Sequence, residues 1–233
     1  MDIDEPDSSV NLKLYRGMIG SLLYLTISRP YIIFSVGLCA RFLVNPKKSH
    51  LTVVERILRY LKGTTNLCLW YPKGSNFNLV GYVDTDYAGF HVDRKSTSGM
   101  AHFISSCLVS WATKKKYSMA LSTAEAEYVV AASCYAQLIW IKQQSMDFEI
   151  DVGCIPIFCD NTNVISTTKN PVHHKRTKHI DVRHHFLRDN YEKGLITVEF
   201  CAIDKKIADI FTKALSRDHF ERNMLELGMI KIT

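Results

Sequence analysis

A chain of 233 residues has room for one large domain, or one domain with an appendage, and for a core of ordinary size. Its 47% hydrophobic and 22% charged residues fit a soluble globular protein. The 29 Lys and Arg outnumber the 23 Asp and Glu, a formal charge of +6, which permits a polyanionic partner without requiring one.

The seven cysteines are scattered and odd in number, with no C-x-x-C pair, which argues against a disulfide framework or a Cys-rich zinc site. Free thiols in a reducing compartment are expected. Residues 1–10 are acidic and polar, unlike a signal peptide, and are expected to be disordered. Arg29, Pro30 and Arg41 interrupt the apolar stretch 18–43, which therefore falls short of the ~20 residues of a membrane span. The expectation is a soluble, intracellular, cytoplasmic protein without a membrane partner.

The first 70 residues read as helical. The clearest helix runs from Ser49, a candidate N-cap, to Lys62, with Gly63 as a left-handed C-terminal residue and Leu51, Val54, Leu58 and Leu61 at helical spacing. The turn-rich stretch Tyr71 to Asn76 is the candidate boundary, giving a helical region over residues 1–72 and a second domain over residues 73–233. Short β-type runs follow at 79–84, 99–105 and 108–113, separated by Gly and Ser as in hairpins. A long helix is expected over 123–144, then a strand over 155–159 and a short helix stopped by Asn170-Pro171. A helix over 176–192 closed by Gly194, a strand over 195–203 with Ile196, Val198 and Phe200 on one face, and helices over 205–215 and 218–228 complete the chain. Three hairpin-linked strands followed by alternating helix and strand imply a mixed α/β sheet covered by helices.

Four acids fall at special places. Asp84 and Asp160 end the first and fourth strands of the second domain, and these strands are neighbours if the hairpin strands stack on one side. Ligands of open α/β sheets gather at such strand ends. A lone aspartate there is equally a polar terminator or helix cap. Ser122 to Glu125 has capping-box spacing, which gives Glu125 a structural role. Glu127, a turn further, shares a face with Ala124, Ala131, Cys134 and Leu138; a carboxylate heading an apolar stripe is costly unless paired or bound to a cation. Asp209 flanks the stripe Ile207, Ile210, Phe211 and Ala214, with Asp204 as candidate N-cap; alone it reads as a solvated surface acid. Carboxylates converging on one crevice repel each other, and hard divalent cations such as Mg²⁺ or Mn²⁺ resolve this.

Seven segments carry a family resemblance: Gly81 to Gly89 (GYVDTDYAG), Asp93 to Gly99 (DRKSTSG), Val109-Ser110-Trp111, Leu121 to Tyr128 (LSTAEAEY), Cys159-Asp160-Asn161, Arg176 to Asp181 (RTKHID) and Ile207-Ala208-Asp209. They resemble the ribonuclease H region of copia-type retrotransposon Pol polyproteins. Tyr15 to Leu25 and Arg56 to Thr64 resemble the thumb-like helices that end the reverse transcriptase. The resemblance implies a ribonuclease H-like mixed five-stranded sheet flanked by helices and preceded by a small helical appendage. It implies an endonuclease that cleaves the RNA strand of RNA–DNA hybrids with two Mg²⁺ (or Mn²⁺) ions on Asp84, Glu127, Asp160 and Asp209. The rest of the reverse transcriptase polyprotein becomes a partner, and virus-like particles a location. Tyr31, Tyr87 and Met100 depart from the family's usual Asp, Trp and aromatic residue. No Asp-Asp pair occurs, so polymerase activity is not expected.

Residues 161–190 carry an excess of basic side chains suited to phosphates, or equally to a solvated helix face. The candidate nucleic-acid contacts are Lys175, Arg176, Lys178 and Arg183, with Ser96 and Asn161. Lys114 to Lys116 form a second basic cluster, expected in a hairpin turn. Five histidines between His173 and His185 fit no standard zinc pattern, and substrate contact, proton transfer or plain packing all remain open. Two other readings stand beside the nuclease: an inactive polyprotein remnant that only binds nucleic acid, and an integrase-like nuclease, which the position of Glu127 disfavours.

Overall fold

The turn-rich stretch after Trp70 separates two units in the computed structural model, residues 1–70 with 229–233, and residues 71–228. The described residues are 10–74, 76–87, 89, 95–115, 123–169, 186–202 and 205–232, without the side chains of residues 124 and 167. Ser122, Asp204 and residues 1–9, each given a role above, lie outside them.

In the first unit, α1 (Leu12–Leu25) begins where Asn11 Oδ1 accepts a hydrogen bond from Leu14 N at 3.1 Å. Its buried residues Tyr15, Ile19 and Leu22 recur at helical spacing. The Tyr15 hydroxyl donates to the Cys39 carbonyl at 2.9 Å, tying α1 to α2 (Ile33–Ala40). The next helix, α3 (Lys48–Gly63), corrects two expected caps. It starts before Ser49, because Lys47 N donates to His50 Nδ1 at 3.0 Å and His50 is buried against Phe42. Gly63 is its last helical residue, and the Thr64 hydroxyl closes the end by donating to Tyr60 O at 2.9 Å. The strand β1 (Leu67–Leu69) pairs antiparallel with the last strand, Met229–Lys231. These final residues, grouped by sequence with the second domain, fall in the first unit.

The second unit holds β2 (Leu79–Asp86), β3 (Thr97–Ile104), β4 (Cys107–Lys115), β5 (Ile155–Cys159) and β6 (Ile196–Phe200), in the order β4-β3-β2-β5-β6. The first three strands are antiparallel and β5 and β6 run parallel to β2, so the sheet is mixed and five-stranded, as expected. The strand carrying Asp84 is hydrogen-bonded to the strand leading to Asp160. The helix α4 (Thr123–Met146) lies on one face. Gly81 lets it approach: a Cβ there would stand 2.7 Å from Leu138 Cδ1 and 2.8 Å from Cys134 Sγ. Leu79, Val83, Tyr135, Leu138, Ile155, Ile157 and Val198 form the core between them. Burying a side chain such as Leu138 contributes about 2 kcal/mol.

The strand β5 leads into α5 (Thr162–Lys169); residues 186–192 are helical, and Gly194 follows at φ 69°. Three expectations in this unit need correction. The helix expected over 205–215 is a short 3-10 turn, Ile207–Phe211. The one over 218–228 is α6 (Arg217–Glu226), followed by the final strand. Phe200 shares a face with Ile196 and Val198, as expected, and is 54% exposed at the strand's end. Lys114 and Lys115 extend β4 rather than forming a hairpin turn. The seven cysteines, all among the described residues, form no disulfide. No helix of the described residues is long and apolar enough to cross a membrane.

Candidate active site

Alternation along β2 turns Leu79, Gly81 and Val83 to α4 and Asp84 to the other face. There the 3-10 turn Ile207–Phe211 packs on the sheet. Gly99, paired with Asp84, makes this possible: a Cβ would stand 2.8 Å from Phe211 Cβ and Thr212 Cγ2 and 2.9 Å from the Ala208 carbonyl. The turn lies flat on bare backbone and delivers Asp209 beside Asp84. Both aspartates are buried, at 8% and 5% exposure. Asp209 is therefore not the solvated flank that its spacing alone suggested.

A buried carboxylate needs a partner. The Thr212 hydroxyl donates to Asp84 Oδ2. The Lys213 ammonium lies 3.0 Å from Asp209 Oδ1 and 3.7 Å from Asp84 Oδ2. Asp209 Oδ1 is itself enclosed, and the Lys213 ammonium is the charge it faces. Burial raises the pKa of Asp209 above the ordinary carboxylate value and the charge of Asp84 raises it further; Lys213 and Lys206 offset part of this. Burial works against the Lys213 ammonium, and Asp84, Asp209 and Asp86 outweigh it, so its pKa is raised.

Asp160 sits two residues beyond the Phe158–Tyr82 pair, as Asp84 sits two beyond Tyr82, so both acids occupy the carboxyl ends of adjoining strands. The Lys206 ammonium pairs with Asp160 Oδ2. Glu127 is half-buried in the second turn of α4. Its charge acts on the Cys159 thiol, which is pushed up to about 11 by burial first and by Glu127 in addition. The structure thus brings Asp84 and Asp209 onto one ammonium and sets Asp160 and Glu127 about the end of β5. Among the described residues, no three His, Cys, Asp or Glu side chains form a group able to hold a metal ion. The donors present still suit a hard cation: two repelling buried carboxylates, one with an enclosed oxygen, and Asp160 at the end of the adjoining strand.

Lys206, Thr212, Lys213 and Gly99 had no role assigned from sequence. Lys213 was detectable as the i+4 neighbour of Asp209. Of the candidate nucleic-acid contacts, Ser96 is buried and Asn161 Oδ1 accepts from Asn163 N at 2.9 Å, opening α5. Lys175, Arg176, Lys178, Arg183 and the His173–His185 cluster lie outside the described residues.

No protein-family model matches the chain. Over 216 residues, 92% of its length, it is 39% identical to the retrovirus-related Pol polyprotein from transposon TNT 1-94 of Nicotiana tabacum, of which it covers 16%. This chain belongs to the retrovirus-related Pol polyproteins of transposons. Another such polyprotein, from transposon RE1 of Arabidopsis thaliana, is 35% identical over 219 residues, 94% of this chain and 15% of the relative. The chain thus spans about a sixth of the length of these curated relatives. The N-terminal RNase H domain of Rv2228c from Mycobacterium tuberculosis is 12% identical, with a TM-score of 0.45, over 64% of this chain and 98% of that one. The mixed five-stranded sheet with flanking helices expected for this Pol segment is the arrangement observed.

Proposed function

We propose that the second unit is a metal-dependent endonuclease of the ribonuclease H type, which hydrolyses the RNA strand of RNA–DNA hybrids without a covalent intermediate. One observation carries the reading: Asp84 and Asp209, far apart in the chain, are buried side by side at a cost the fold does not need. Asp84, Asp209, Asp160 and Glu127 would hold the ions. Two Mg²⁺ or Mn²⁺ ions there supply an activated water and charge stabilisation for the departing oxygen. Thr212 fixes the Asp84 carboxylate, and Gly99 seats the turn that carries Asp209. Lys175, Arg176, Lys178 and Arg183 supply phosphate contacts, whose binding weakens as salt rises.

The test is cleavage of a labelled RNA–DNA hybrid by the full chain with Mg²⁺. Wild type cuts the RNA strand; Asp84→Asn and Asp160→Asn fold normally and do not cut. A folded wild type that is inert, or variants that still cut, overturn the proposal. One observation favours the second reading, a binding remnant without catalysis: Lys206 and Lys213 already pair with three of the four acids. Salt-sensitive hybrid binding with no cleavage at any divalent concentration selects it.

A further inference from the structure

Lys213 stands where an incoming cation has to arrive. Its single ammonium faces both buried carboxylates, 3.0 Å from Asp209 Oδ1 and 3.7 Å from Asp84 Oδ2. The three groups differ in their freedom. The lysine side chain is 37% exposed, the Asp84 and Asp209 side chains 5% and 12%. A half-exposed lysine on a flexible stem can move its charge into water at small cost. The acids have no such exit. Asp84 is fixed on a central strand and bonded by Thr212, and Asp209 is fixed in a turn pressed onto Gly99. A metal ion approaching the pair meets a like charge that can leave and two opposite charges that cannot.

We propose that Lys213 is an internal counter-cation of the Asp84–Asp209 pair, which a divalent cation must displace in order to bind. The inference rests on the metal-binding reading above. In the absence of metal the lysine stabilises the fold against repulsion between the two acids, and it sets a threshold on the divalent concentration at which the site fills. Lys206 stands in the same relation to Asp160, from a more enclosed position, its side chain 14% exposed.

The test is calorimetric titration of the full chain with Mn²⁺, at fixed salt and pH, alongside melting temperatures in EDTA. Lys213→Met is expected to melt lower than wild type in EDTA. It should bind Mn²⁺ roughly two- to fivefold more tightly, the range a half-exposed ion pair contributes. Lys213→Arg, which keeps the charge, restores the weaker binding. Where the Met variant does not fold without metal, Lys213→Gln carries the same expectation. Unchanged or weaker Mn²⁺ binding in a folded Lys213→Met or Lys213→Gln overturns the proposal. Asp84→Asn separates the two claims. If it abolishes Mn²⁺ binding while neutral Lys213 variants bind as wild type does, only the lysine's role falls. If it binds Mn²⁺ as wild type does, the metal site falls and the counter-cation with it.

Discussion

The two units treat buried polar groups differently. In the first, polar side chains such as Tyr15, His50 and Arg29 bond to backbone. Tyr15 donates to the Cys39 carbonyl and His50 accepts from Lys47 N. Arg29, beside buried Tyr31, donates to the carbonyls of Thr64 at 2.8 Å and Thr65 at 3.3 Å. These bonds connect one helix to the next, and the fold explains them. In the second, Asp84 and Asp209 are buried against each other and need Lys213 to coexist. Replacing such charges with neutral groups is often neutral or stabilising, so the fold does not account for their presence. A polar group that closes a helix is architecture; a buried charge that its surroundings oppose points to chemistry.

The sharpest way to break this contrast is Asp209→Asn. On the proposed function, cleavage falls by about a thousandfold or more, the several kcal/mol a metal site supplies. Stability should move the other way. Because burial and Asp84 raise the pKa of Asp209, its charged form opposes folding above its unfolded pKa, and the amide removes that cost. The melting temperature at pH 7 is expected to hold or rise. A variant that loses activity and stability together places Asp209 with the architectural groups.

His102 tests the contrast from within the second unit. It is buried in β3, with Nδ1 3.2 Å from the Ser110 carbonyl, and burial lowers its pKa to about 4. It is an architectural group near chemical ones. The unfolded chain gains a proton on this histidine below about pH 6.5, and the folded chain only near pH 4. Stability is therefore full above pH 6.5 and declines as pH falls to 4, by about 3 kcal/mol from this residue. Urea midpoints at pH 7 and pH 4.5 for wild type and His102→Leu check it: the acid loss should shrink in the variant. Equal losses in both assign the acid sensitivity elsewhere.

Much of this was legible in the sequence, for identifiable reasons. A short β-type run after a turn marked β2 with its acid, and β5 was read to the residue because its apolar run is bounded by Gly153 and Asp160. The adjacency of their ends followed from hairpin stacking. The turn bearing Asp209 was not legible, since Ile207, Ile210 and Phe211 satisfy α and 3-10 spacing alike. Nor was the burial of Asp209, which depends on Gly99, a residue distant in sequence whose missing side chain makes the space. The pairing of Leu67–Leu69 with Met229–Lys231 was invisible because three-residue strands are too short to show a period.

Tyr31, one of the departures from the family pattern, gives the smallest effect and the cleanest separation. Its ring meets Tyr60 edge-on with centroids 5.9 Å apart, and its hydroxyl accepts from Arg29 Nη1 at 3.1 Å. Arg29 thus serves three acceptors at once, and the tyrosine ring fills space that a short acid would leave empty. Tyr31→Phe keeps the ring and removes the hydroxyl that meets Arg29 and, at 3.5 Å, Thr64 Oγ1, so stability should fall by about 1 kcal/mol. Hybrid cleavage by the folded variant should be unchanged, because the bond belongs to the packing of the first unit. A loss of cleavage without a matching loss of stability means that the helical unit takes part in the reaction, and that the division between architecture and chemistry does not follow the boundary after Trp70.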